Sequence, residues 1–156
     1  MMKTLVLGIG NTIRGDDSIG IHLARRLREI LPSRFAIKEL STAGLDFMEA
    51  VSGYRKVFLI DAIHTSQGIA GQVYRLGLED FAYPSCLSST HALNLKQVLE
   101  LGRKLKEEEM PEEIEILAIE APHLDEFSQD LSPQLAAQFD KIVETVRSQI
   151  ELGSNK

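Results

Sequence analysis

Leu5–Ile9 (LVLGI) and Lys56–Ile63 (KVFLIDAI) are short apolar runs with almost no polar alternation. A strand with one face in water alternates apolar and polar residues, whereas a strand covered on both faces does not. Two such runs separated by helical patterns demand a sheet with helices on both sides. Glu115–Ala121 (EILAIEA) reads as a further strand, and Arg34–Leu40 mixes apolar and charged residues as a half-exposed strand does. Between them, Ile19, Leu23, Ala24, Leu27, Ile30 and Leu31 recur at helical spacing from Asp17 onward until Pro32 stops the helix. Gly44–Val51 suits a short helix and His91–Leu105 an amphipathic one. Ser132-Pro133 pairs an N-cap with Pro at the first helical position, which opens a last helix to Ile150.

One connection breaks the βα alternation. Gln72–Leu78 alternates like an edge strand, yet only His64–Gly71 separate it from the strand before. A parallel return needs a crossover of about a dozen residues, so this strand is expected to run antiparallel at an edge. The segment Glu79–Thr90 must then carry the chain back across the sheet, and long connections of this kind are often functional. The expected fold is a three-layer α/β/α sandwich on a mostly parallel five-stranded sheet with one antiparallel edge strand. Residues 1–152 form its single domain, and residues 153–156 are expected as a frayed tail. A chain of 156 residues suits one compact core.

Composition narrows the function. A net charge of −6 argues against a nucleic-acid binder, which needs a basic face to displace counterions. The lone cysteine, Cys86, excludes an internal disulfide framework and a CxxC site. No apolar run reaches the ~18 residues of a membrane span. The opening MMKTLVLGIGNT turns polar too soon for a signal segment, so the cytoplasm is the expected location.

Parallel sheets bind ligands beyond the carboxyl ends of their strands, where strand order reverses. The chain supplies Asn11, Asp16 and Asp17 after the first strand, Thr42 after the second and Asp61 at the end of the third. His64 lies just beyond Asp61, the long connection leads to His91, and His123 follows the last strand. Acids and imidazole converging on one crevice suit a borderline divalent ion such as zinc or nickel, with positions left open for substrate. Asp16 and Asp17 also suit plain helix capping. An acid closing an apolar strand, as Asp61 does, must find a partner or water. His91 in SSTHALNL also suits a first-turn helix residue, and His22 and His64 suit solvent.

Two common α/β functions fail at positions that their chemistry requires. In a dinucleotide site built on Gly8 and Gly10, the third glycine would fall on Ile13, and Asp16-Asp17 would oppose the pyrophosphate. In a phospho-receiver domain the acid pair would stand at the strand tip, yet Asp16 lies seven residues beyond Ile9.

The segments LVLGIGNTIRGDDSIGIHLARRL, STAG (Ser41–Gly44), LIDAI (Leu59–Ile63) and STHALNL (Ser89–Leu95) resemble the hydrogenase maturation endopeptidase family. They follow one another in the family's order from residue 3 to at least residue 120, and GxGNxxxxDDxxG is the most specific of them. The resemblance implies an endopeptidase that removes a C-terminal extension from the large-subunit precursor of a nickel–iron hydrogenase after nickel insertion. It implies Asp17, Asp61 and His91 as contacts to nickel that the substrate supplies, with Asp17 and Asp61 in the catalytic role. Asp16, Asn11, Thr42, His64 and His123 are secondary candidates. Where many members carry Asp-Gly-Gly-Thr, this chain has Glu39-Leu40-Ser41-Thr42, a stiffer backbone. A nickel-sensing or chaperone-like binding protein on the same scaffold is the alternative. No organic cofactor, nucleic acid or membrane partner is expected.

Overall fold

The computed structural model describes residues 4–41, 45–81, 90–122, 124 and 126–155, with residues 81 and 90–94 described by their backbone. The chain runs β1 (Thr4–Ile9), α1 (Ile19–Ile30), β2 (Phe35–Leu40), α2 (Leu45–Val51) and β3 (Lys56–Ile63). It continues through β4 (Val73–Leu76), α3 (Thr90–Lys106), β5 (Glu113–Glu120) and α4 (Pro133–Ser154). The sheet order is β2-β1-β3-β5-β4; all neighbours are parallel except β4, which pairs antiparallel with β5 at the edge. Among the described residues no helix is long and apolar enough to cross a membrane.

Strand alternation divides the core into two. Leu5, Leu7, Ile9, Val57, Leu59 and Ile63 face one layer with Phe47 of α2 and Leu95 and Leu99 of α3. Val6, Phe58, Ile60, Leu117 and Ile119 face the other with Leu23 and Leu27 of α1 and Val143 and Val146 of α4. Both faces of β1 and β3 are thus covered, which explains their unbroken apolar runs. By the same alternation Asp61 falls on the α2/α3 face, in line with Leu59 and Ile63.

Several boundaries differ from the sequence expectation, each for a local reason. The helix expected from Asp17 is preceded by a 3-10 turn, Gly15–Ser18, and becomes α-helical only at Ile19. Gly15 takes a left-handed φ of 53°, and the Ser18 hydroxyl donates to Gly15 O at 2.6 Å. β4 ends at Leu76 rather than Leu78, because the Gly77 N–H turns to Asp80 Oδ2 at 2.7 Å. β5 spans Glu113–Glu120, shifted from the expected Glu115–Ala121, since its pairing with β3 begins at Lys56 opposite Glu113. α4 continues past Ile150 to Ser154, into the segment expected as a tail. Gly153 is buried beside Phe58, and Lys56 Nζ donates to its carbonyl at 2.6 Å. A cation at a helix C-terminus is favourable, so this contact holds the last turn.

The topology places the helix ends. β5 runs parallel to β3, so α3, which leads into β5, ends at the amino edge and starts at the carboxyl edge. The chain leaves β1 for β2 on one side and resumes at β3 on the other, so the carboxyl ends of β1 and β3 form the switch point.

Candidate active site

Two glycines shape the switch point. A Cβ at Gly20 would stand 2.4 Å from both Ile9 O and Ile60 O, so the first turn of α1 lies directly on the ends of β1 and β3. A Cβ at Gly10 would stand 2.2 Å from Asp17 O, so the loop after β1 folds back tightly on itself. Asn11 organises that loop. Its Oδ1 accepts from Ile13 N and its carbonyl from Arg14 N, both at 3.1 Å. Its own N–H donates to Asp17 Oδ2 at 3.1 Å.

Asp17 is 7% exposed and sits in the 3-10 turn that packs against β3. Its Oδ1 takes no hydrogen bond from the described residues. Asp61 is 4% exposed and pairs with Ala118 in β5, and its Oδ1 accepts from Ala62 N at 2.8 Å. Neither acid caps α1. Asp17 lies in the turn that follows β1 and Asp61 near the carboxyl end of β3, and both are buried carboxylates. Burial strips water from a carboxylate, and such a group is stabilised by N–H donors or by a cation.

Asp16 has a different task. It is 1% exposed, and its Oδ1 accepts from Ser132 N at 2.7 Å, just where α4 begins. Ser132 in turn caps α4 by accepting from Leu135 N at 3.4 Å. Asp16 therefore ties the loop after β1 to the positive end of α4.

His91 is the second residue of α3, so the helix brings its backbone to the carboxyl edge. It lies four and eight residues before Leu95 and Leu99 in the same helix. The His91 side chain lies outside the description, as do Thr42, His123 and Cys86. Among the described side chains, no three His, Cys, Asp or Glu form a cluster able to hold a metal ion. His64 is exposed beyond β3, with Nδ1 donating to Ala121 O at 2.8 Å. His22 is half-buried in α1 rather than solvent-facing; burial first, then the Arg25 charge, lowers its pKa from the usual 6.5.

One residue escaped the sequence reading. Glu120 closes β5, is 2% exposed and faces the same side of the sheet as Asp61. Its Oε1 accepts from Thr65 N at 3.0 Å and Thr65 Oγ1 at 2.7 Å, pinning the connection after β3. The signal was present: EILAIEA ends on an acid at a core-facing position, as KVFLIDAI does.

The family model for HycI, hydrogenase maturation protease, matches residues 21–149. The hydrogenase 2 maturation protease of Escherichia coli strain K12 is 28% identical over 150 residues, covering 93% of this chain and 88% of its own. Among solved structures, the E. coli hydrogenase maturating endopeptidase HybD superposes with a TM-score of 0.76 at 26% identity, over 97% of this chain and 94% of its own. The [NiFe] hydrogenase maturation protease HybD of Thermococcus kodakarensis shares the fold, with a TM-score of 0.74 at 24% identity over 94% of this chain and 98% of its own. With the family model matched over most of its length and the fold shared throughout, this chain belongs to the hydrogenase maturation protease family, and is a peptidase.

Proposed function

We propose that the protein is a nickel-dependent endopeptidase that removes the C-terminal extension of a nickel–iron hydrogenase large-subunit precursor in the cytoplasm, once nickel is in place. The observation that carries this reading is the pair of buried carboxylates, Asp17 and Asp61, at the switch point. His91, at the start of α3, is the third proposed contact. Two carboxylates and one imidazole make an incomplete donor set, suited to an ion that arrives with other ligands from its own protein. The nickel is then part of the substrate, and its recognition reports that the precursor is loaded.

The hydrolysis needs a water to attack the scissile carbonyl carbon. A carboxylate at Asp17 or Asp61 accepts the proton of that water, and the same proton passes to the leaving amine as the C–N bond breaks. Ion polarisation of the carbonyl or of the water lowers the same barrier. Asn11 holds Asp17 by its N–H, and Asp16 holds the turn against α4. Glu120 holds the connection beyond Asp61.

The test is incubation with a nickel-loaded precursor and with a metal-free one in chelator, followed by mass measurement. A mass loss equal to a C-terminal peptide in the loaded sample alone is expected. Cleavage of the metal-free precursor would replace this reading with a plain carboxylate peptidase. An unchanged mass in both would favour a nickel-sensing binding protein.

A further inference from the structure

The loops after β1 and β5 are zipped together outside the sheet. Ser128 N donates to Ile13 O at 3.0 Å and Gly15 N donates to Ser128 O at 2.8 Å, a parallel bridge between Arg14 and Ser128. Ile13 and Phe127 each lie one residue before the bridge, on the two segments that it joins. Both point outward: Ile13 is 52% and Phe127 85% exposed. A phenylalanine so open to water contributes little to the core, and the bridge joins its segment to one that carries a second exposed apolar residue.

The position is informative. The pair precedes Asp16-Asp17 by three residues on one strand of the bridge. Leu45 opens α2 and Ile69 lies between β3 and β4, so both are further exposed apolar residues of the carboxyl side. The other exposed large apolar side chains of the described residues, Leu101, Leu105 and Leu152, lie in the later parts of α3 and α4, which run toward the opposite edge. Exposed Glu126 and Asp130 flank the bridge and give the patch an acidic rim.

From this juxtaposition we infer that Ile13 and Phe127 form the docking anchor for the folded body of the precursor, gripping an apolar patch with a basic rim beside the segment to be cut. The inference rests on the proposed function, since Ile13 lies four residues before Asp17 in the same loop and the bridge ties the Phe127 segment to that loop. Aromatic and branched apolar side chains at a rigid, backbone-bonded site are typical interface anchors. The acidic rim disfavours a second copy of this chain, which carries a net charge of −6.

The test compares wild type with Ile13→Ser/Phe127→Ser and with the conservative Phe127→Leu, on nickel-loaded precursor. Binding is read by calorimetry and cleavage by mass. Expected is a Kd and KM raised about 10- to 100-fold in the double variant with kcat unchanged, and near-complete rescue in Phe127→Leu. The melting temperature should stay at the wild-type value, because both side chains already face water. Unchanged Kd and KM overturn the docking role, as does a fall in kcat at constant KM. A wild-type dimer that the double variant converts to monomers would instead assign the patch to self-association. If wild type binds the precursor without cutting it, the proposed function fails, and the binding constants still decide the anchor.

Discussion

Gly20→Ala tests whether the site depends on the close approach of α1 to the strand ends. The added Cβ would stand 2.4 Å from two backbone oxygens, Ile9 O and Ile60 O, whereas ordinary contact begins at 3.4 Å. The opposing atoms belong to two paired strands and cannot rotate aside, so the helix start must retreat by about 1 Å. Overpacking of this kind costs about 3 kcal/mol at the upper end of its range. Alanine recovers about 1 kcal/mol through its better helix propensity. The net loss of about 2 kcal/mol corresponds to a melting temperature lowered by about 4–8 °C for a chain of this size. The same retreat carries Asp17 away from Asp61, and a misplacement of about 1 Å costs about 100-fold in rate. Thermal unfolding by circular dichroism and single-turnover cleavage of the loaded precursor measure the two effects. A variant with wild-type melting and full cleavage would refute the packing argument. A lowered melting temperature with full cleavage would refute the link from packing to site geometry.

Asp17→Asn and Asp61→Asn should each lower cleavage by at least about 100-fold, the scale of a lost general base, and each should weaken cadmium binding while far-ultraviolet circular dichroism stays unchanged; wild-type cleavage by either variant removes that residue from the mechanism. Asp16→Ala should destabilise the fold by about 1–3 kcal/mol in urea titrations, because Ser132 N loses its buried acceptor, and an unchanged midpoint would show the tie to α4 to be dispensable. Burial and the Arg25 charge hold His22 below its usual 6.5 against the opposing pull of Asp130 and Glu39. The unfolded chain therefore binds a proton that the folded chain resists, and stability present above pH 6.5 should drain as pH falls toward the folded value. His22→Gln should flatten that slope, and a wild-type curve parallel to the variant's between pH 6.5 and 5 would contradict it.

Much of the architecture could be read in one dimension because the cues are local. Apolar runs without alternation mark β1 and β3 as strands covered on both faces. The short His64–Gly71 connection excludes a parallel return, and β4 is indeed antiparallel at the edge. Ser132-Pro133 opens α4 at the expected residue. Asp61 stood out because an acid at a core-facing position of an apolar strand is costly unless it is used. Glu120 carries the same signature on β5 and went unnoticed, since it falls at the boundary where strand and loop are hardest to separate in sequence.

Residue types and their spacing were therefore sufficient to set the class of fold and the carboxyl edge where its ligands were expected. Only the tertiary structure divided the work between neighbouring acids. Asp16 and Asp17 are adjacent and identical in type, yet Asp16 accepts from Ser132, 116 residues away, while Asp17 accepts from Asn11 within its own loop. Helix ends also followed distant contacts: α4 runs on to Ser154 because Lys56, 97 residues earlier, holds the Gly153 carbonyl. The exposed pair of Ile13 and Phe127 exists only through the Arg14–Ser128 bridge. Periodicity and propensity are set within a few residues along the chain, whereas a hydrogen-bond partner is chosen by which segments the closed core brings together, and that choice is made in three dimensions.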